Sequence, residues 1–397
     1  MSPEDRSLLT VTCYGHFMSH FNMLVFPAVL LPLSASFGMD MVDTLALSFW
    51  MYLLFGVTAL PWGLLADKIG PRPLLALFHL GAGLCGLLAA FSVSDPFWFS
   101  FSLAGIGFFS GIYHPVGLGW IAKEIKNTSK GMAINGMFGN LGLASAPLVA
   151  GTVNYLWGAT AVYVAVAMVN ISGLIFLYFV KNGRQMPAAG KRIEDTKNSM
   201  APFLVLLVCM MLGGIVYRAV SVTLPAYFEL QNQSFYSAFL HLAGEFGSAN
   251  VFATIITSSI YLVGMAGQYF GGKVGEKIDL GKGYLLFHLL TIPASIAMAL
   301  TSNIPLVTVA MIHSFFLLGM QPIENTLVAR LSPPGLHSTA YGLKFILTFG
   351  VGALSVSMVT GVKEAFGFNA VYLALAGVSS LLAATILLLN YYRKKTV

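Results

Sequence analysis

The sequence predicts an all-α membrane protein of twelve transmembrane helices, arranged as two pseudo-symmetric six-helix bundles. Three observations predict it. The 397 residues are 57% hydrophobic and 9% charged, with a mean hydropathy of +0.80, whereas a soluble domain carries about 25% charged residues. Apolar runs near the ~20 residues that a bilayer requires recur along the whole chain. A charged junction between two such runs, GLLADKIGPRP at 63–73, returns 209 positions later, with Gly272, Glu276, Lys277 and Ile278 in the places of Gly63, Asp67, Lys68 and Ile69. Leu286-Phe287-His288-Leu289 then repeats Leu77-Phe78-His79-Leu80 without a gap. A duplicated charged junction in an apolar chain means two similar halves.

Taken in order, the expected spans are 8–33, 44–66, 73–93, 97–122, 131–153 and 158–180, then 202–228, 252–274, 283–301, 305–329, 338–360 and 368–392. The first six make an N-terminal bundle (1–180) and the last six a C-terminal bundle (201–397), joined by a polar cytoplasmic linker (181–200). The other long connection, 229–251, is external; it carries Glu229, His241 and Glu245 among aromatics and reads in part as an amphipathic interfacial helix. With both termini inside, cytoplasmic segments hold eighteen of the twenty-one Lys and Arg residues, and the external loops keep only Lys363. The formal charge of +6 is therefore a topology signal and not a nucleic-acid footprint. Cys13, Cys85 and Cys209 sit in apolar runs, match no disulfide or metal spacing and read as small core residues. The first apolar run lacks a basic leader and a small-residue cleavage site, so no cleavable signal peptide is expected.

The halves correspond elsewhere too. The block from His20 through Pro27 aligns with the block from Arg218 through Pro225, and His114-Pro115 in the fourth span aligns with Gln321-Pro322 in the tenth. Polar residues thus recur at matching depth in the first and seventh spans and in the fourth and tenth. Duplicated bundles of this kind bind solute near the bilayer midplane.

The 63–73 junction resembles the signature loop of the major facilitator superfamily, G-x-x-x-D-[RK]-x-G-[RK]-[RK]: Gly63, Asp67, Lys68, Gly70 and Arg72 match, and Pro71 replaces one basic position. The resemblance covers nearly the whole chain and implies the major facilitator fold, with the first, fourth, seventh and tenth spans lining a central cavity. It also implies alternating access, with Gly63, Asp67, Lys68, Gly70 and Arg72, and Glu276 and Lys277 in the second copy, as a conformational latch against the opposite half. Within the superfamily, Ser19-His20, Asn22, Pro27 and the blocks at 105–115 and 131–151 resemble the fosmidomycin-resistance group of exporters. Two carboxylates of that group are missing, Val116 and Met23 standing in their places.

Polar groups inside hydrocarbon are costly, about 2.5–3.5 kcal/mol for a central Lys, Arg or Asp on insertion scales, so each is a candidate functional residue. Apart from Lys273 at the cytoplasmic end of the eighth span, three formal charges fall within the expected spans: Arg218, Glu324 and Lys344. Arg218 is expected to anchor a substrate anion, because a guanidinium fork matches carboxylate or phosphonate; otherwise it is a structural cation on backbone carbonyls. Glu324 and Lys344, at similar depth on successive antiparallel helices, are expected to pair, to gate, or to carry a coupling proton. His16 and His20 share one helical face, with Asn22 beside them, and Tyr113 and His114 lie in the fourth span. With Tyr217, His313 and Gln321 they form the expected substrate-binding set, and His20 and His114 are also candidate proton carriers.

The inventory of cations and histidines against one carboxylate predicts a proton-coupled secondary transporter of a small anionic or zwitterionic organic solute. A single copy in the cell inner membrane is expected, with no cofactor, no resident metal and no nucleic-acid partner. A transition-metal or metal-chelate transporter is the alternative, since Cys13, His16, Met18, His20 and Met23 crowd the first span. The motifs GxxxxGK[ST] and HExxH are both absent, which argues against ATP-driven pumping within the chain and against a zinc hydrolase.

Overall fold

A computed structural model of the protein describes residues 2–180, 200–243, 247–332 and 342–395. The expected linker, Met200 apart, lies outside them. The described chain is almost entirely helical and contains no strand. Nine of its helices are long and apolar enough to cross a membrane, and two bent pairs raise the number to eleven. Contacts divide the chain into two compact units, Met1–Arg192 and Ile193–Val397.

In the first unit, α1 (Pro3–Ala28) is capped by Ser2, whose hydroxyl accepts from the Asp5 N–H while the Asp5 carboxylate accepts from the Ser2 N–H. After Pro27 the chain turns by 52° into α2 (Leu30–Phe37), as a helix must where a proline removes a backbone donor. Two short helices, α3 (Met41–Ala46) and α4 (Phe49–Val57), run into α5 (Ala59–Ile69) through a 44° bend. Gly70 then adopts φ +84°, a conformation that L side chains rarely adopt, and Pro71 opens α6 (Pro71–Phe91). The junction that signals the duplication is thus a one-residue reversal. The fourth span is α7 (Pro96–Ser110) followed by α8 (Tyr113–Glu124), interrupted just ahead of Pro115.

The expected loop between the fifth and sixth spans shrinks to a single residue: α9 (Thr128–Phe179) is two helices that meet at Gly158. Within it the stretch Lys130–Tyr178 holds 49 residues, about 74 Å of helix, more than twice the ~30 Å hydrocarbon thickness. Gly158, with φ 79° and ψ 173°, breaks it. The neighbours of α1 show the reversal: His16 bonds to Asn135, Phe21 and Val25 border one small cavity with Val149, Val153, Val162 and Val166, and Asn22 and Tyr14 bond to Asn170 and Val169. The first arm climbs along α1 and the second descends, so α9 supplies two spans and the described residues supply twelve.

The second unit repeats the plan with α10 (Met200–Gln231), α12 (Ala249–Lys277), α13 (Leu280–Leu300), and a broken span of α14 (Asn303–Gly319) and α15 (Gln321–Leu331). The span Gly342–Phe366 contains a π-helical turn (Ile346–Gly350), a 3-10 turn (Val351–Ala353) and α16 (Leu354–Phe366); Gly367, at φ +86°, leads into α17 (Phe368–Lys395). Between α10 and α12 lies α11 (Gln233–Ala243), where the amphipathic segment is expected, its Phe235, Tyr236 and Phe239 packed on Phe252. Glu229 belongs to the last turns of α10 instead, and Glu245 is outside the described residues.

Lipid tails are as apolar as Leu, so close packing and interhelical hydrogen bonds hold such bundles together. Leu206, Tyr284, Phe287, Leu327, Leu382 and Ile386 form a buried core where α10, α13, α15 and α17 meet. Two glycines allow close approaches: a Cβ on Gly142 would lie 3.0 Å from the Phe17 carbonyl carbon, and one on Gly214 would lie 2.7 Å from the Thr348 Cα.

Candidate functional site

Each half buries polar side chains, and the two halves use different chemistry. In the N-terminal half a cluster joins α1, α8 and both arms of α9. His16 donates through Nδ1 to the Asn135 carbonyl at 2.9 Å, and its Nε2 lies 3.2 Å from the His20 Nε2. Tyr113 stacks on the His16 ring at 5.0 Å, and its hydroxyl is bonded to the Asn135 side chain. His114 stands edge-on to both histidines, its Nδ1 3.4 Å from the Ser19 hydroxyl. Asn22 bonds Ser110 and exchanges amide hydrogen bonds with Asn170 at 2.9–3.0 Å. A carbonyl only accepts and an amide does both, so this network holds together with no net charge. The i, i+4 spacing puts His16 and His20 on one face of α1, and the interruption between α7 and α8 brings the Ser110 carbonyl within 3.3 Å of the Ser19 hydroxyl.

The C-terminal cluster is charged. Glu324, 3% exposed, pairs with Lys344 at 2.7 Å and accepts from the Tyr284 hydroxyl at 2.7 Å. Lys344 also donates to the Asn325 side-chain oxygen. The pair joins α15 to the span that follows, as the sequence leads one to expect. His288 packs edge-on against Tyr284 at 4.9 Å. Arg218, 2% exposed in α10, has its guanidinium carbon 6.0 Å from the ring centres of both Tyr217 and Phe349. Phe349 lies in the π-helical turn, a local irregularity that recurs at functional positions in helices. Tyr217, Ser221, His313 and Ser314 border a small cavity within this half, and His313 has no hydrogen-bond partner on either ring nitrogen among the described residues. Gln321 lies at the start of α15 and accepts from Gln268 at 2.6 Å.

At the duplicated junctions the halves differ again. Asp67 at the end of α5 pairs with Lys123 at the end of α8 at 2.7 Å, so its ion-pair partner is inside its own half. In the second copy the carboxylate paired at the junction is Asp279, held by Arg393 at 3.1 Å, while Glu276 enters no ion pair among the described residues. Desolvation opposes ionisation of Asp279, but the Arg393 hydrogen bond and charge and the N–H groups of Lys282 and Gly281 outweigh it, leaving its carboxyl below the usual range.

Sequence reasoning finds His16, His20, Asn22, Tyr113 and His114, which the fold brings together, and the Glu324–Lys344 pair. It misses Asn135, Asn170, Tyr284 and His288. Neutral polar residues in apolar runs give a weak signal, although His288 lies in the repeated Leu-Phe-His-Leu element.

Twelve spans among the described residues, in two similar bundles that each bury polar side chains, define a multi-pass membrane protein. Comparison with known proteins agrees: residues 12–243, more than half of the chain, match the Major Facilitator Superfamily. The chain is 22% identical over 348 residues to the multi-drug resistance efflux pump PmrA of Streptococcus pneumoniae, covering 85% of this chain and 82% of that one. Among solved structures, a POT family transporter in complex with 5-aminolevulinic acid superimposes with a TM-score of 0.77 at 16% identity, covering 96% and 95% of the two chains. A bacterial homolog of the human lysosomal transporter Spinster, inward-facing and occupied, gives a TM-score of 0.73 at 16% identity, covering 100% and 99%. The chain belongs to the Major Facilitator Superfamily and is a transporter, not an enzyme.

Proposed function

We propose that this transporter moves a small organic anion or zwitterion by alternating access, driven by protons, as a monomer in the cell inner membrane with both termini cytoplasmic. The observation that carries the reading is Arg218, a guanidinium 2% exposed in the middle of an apolar helix and flanked by two aromatic rings. A buried cation of fixed charge and planar fork is matched by a carboxylate or phosphonate. His16, His20, Asn22, Tyr113 and His114, with Tyr217, His313 and Gln321, add neutral donors and acceptors that orient the rest of the solute.

Glu324 carries the coupling proton. Protonation removes its charge and releases Lys344, loosening the tie between α15 and the next span, and that tie is the element proton binding biases. Gly63, Asp67, Lys68, Gly70 and Arg72, with Glu276 and Lys277, act as the latch at the cytoplasmic junctions. The motifs at 105–115 and 131–151 support a place near the fosmidomycin-resistance group, with proton carriage moved to Glu324 because Val116 and Met23 cannot titrate.

The test is flux in proteoliposomes across an imposed pH gradient, with organic anions, zwitterions and cations as solutes. Accumulation of anions or zwitterions that follows the gradient and is lost in Arg218→Ala is the expected result. Transport of cations alone, or anion flux unchanged in that variant, would overturn the reading.

A further inference from the structure

We infer that His16, His20 and His114 form a binding site for a late first-row divalent cation, Zn2+ or Cu2+, inside the N-terminal half. One ring nitrogen from each histidine lies within 4.8 Å of the other two, and the His16 and His20 Nε2 atoms are 3.2 Å apart. Tetrahedral zinc with nitrogens at about 2.0–2.1 Å needs them about 3.3 Å from one another, so one pair is already in place and the third nitrogen closes the triangle by a short ring movement.

The hydrogen bonds fix the lone pairs of His16 and His114. The Asn135 carbonyl can only accept, so His16 carries its hydrogen on Nδ1 and its bare Nε2 accepts from the His20 Nε2–H at 3.2 Å; a bound cation takes the place of that hydrogen, which moves to the His20 Nδ1. The Ser19 hydroxyl donates to the Ser110 carbonyl, so its oxygen accepts from His114 Nδ1 and leaves the His114 lone pair on Nε2. Histidines that bind metals are oriented in this way, by an acceptor on the outer nitrogen. The rings are also held in place. Tyr113 stacks on His16, and α9 approaches so closely that a Cβ on Gly139 would lie 2.6 Å from the His16 Nε2. Three neutral imidazoles with no carboxylate suit zinc and copper and not calcium or magnesium, which take oxygens. The cation would bind when no solute occupies the three histidines, linking α1 to α8, with a fourth position open to water or an anion. Its binding is measured without any solute, so the inference stands or falls separately from the anion reading.

The test uses the tag-free full-length protein in detergent, titrated with ZnCl2 by calorimetry and studied loaded by zinc X-ray absorption. One zinc per chain, with three nitrogen neighbours at about 2.0 Å, is expected. His16→Gln, His20→Gln and His114→Gln should each weaken binding at least about tenfold, while His241→Gln, on the exposed face of α11, leaves it unchanged. No saturable binding, an all-oxygen ligand shell, or affinity unaltered by all three triad substitutions would overturn the inference. If a triad variant loses its fold, the absorption spectrum of the unaltered protein decides alone.

Discussion

The N-terminal half solves the problem of polarity in hydrocarbon with neutral groups, and the C-terminal half solves it with charges. Around α1 the partners are His16, His20, Asn22, Tyr113, Asn135 and Asn170, linked by hydrogen bonds that carry no net charge. Around α10 and α15 they are Arg218, Glu324 and Lys344. The halves share a helix plan and a duplicated junction, so the difference was laid on a common scaffold. It teaches where each kind of work belongs. On the proposed reading a neutral network would position a solute and tolerate loss of one bond, whereas fixed charges would attract an anion and respond to protons.

The largest expected effect sharpens that contrast at the aligned positions His20 and Arg218. Charge-assisted bonds are worth about 1.5–3 kcal/mol each, so loss of a two-bond fork in Arg218→Ala should weaken anion binding by about 100-fold or more. His20→Gln removes only neutral bonds of about 0.5–1.5 kcal/mol and should cost about tenfold or less. Equilibrium binding to the two purified variants checks this, and equal losses would break the comparison.

Next in size is the buried pair. Lys344→Met strands the Glu324 carboxylate and should destabilise the protein by about 3–5 kcal/mol, with Lys344→Met/Glu324→Gln recovering much of the loss. In the neutral half, Asn135→Leu leaves the Tyr113 hydroxyl without its partner and should cost about 1–3 kcal/mol. Thermal unfolding of the four proteins in detergent orders them. Glu324→Gln alone should also abolish pH-driven accumulation while leaving solute exchange at equal pH on both sides intact; proton-driven flux that survives would move coupling to a histidine.

The smallest effects belong to the exposed junctions. Asp67→Asn breaks a pair whose side chains are more than half exposed and should change stability by about 0–1 kcal/mol. The Asp279–Arg393 contact lowers the Asp279 pKa on folding, so its stabilisation is present above the ordinary carboxylate value of 3.8 and is lost as pH falls below it. Unfolding midpoints of Asp279→Asn and the parent should therefore converge below about pH 4.

The fold was legible because hydrocarbon length and charge exclusion leave few solutions for a chain this apolar, and because the 63–73 junction is copied. What the sequence hid was local. Residues 154–157 read as a loop between the fifth and sixth spans, whereas they are helical and Gly158 alone, at φ 79°, makes the reversal. In the site, charges stood out against the apolar background, so Arg218, Glu324 and Lys344 were visible. Asn135, Asn170 and Tyr284 were not, because a neutral amide or hydroxyl is common in such helices and only packing reveals its partner. The link from Asn22 to Asn170 spans 148 positions, a distance no periodicity can bridge.

The most direct measurement is a thermal-shift screen of the purified protein and Arg218→Ala against organic anions, zwitterions, cations and neutral solutes. The account predicts that stabilising compounds carry a carboxylate or phosphonate and lose their effect in the variant. Stabilisation by cations, or by anions equally in both proteins, would contradict it.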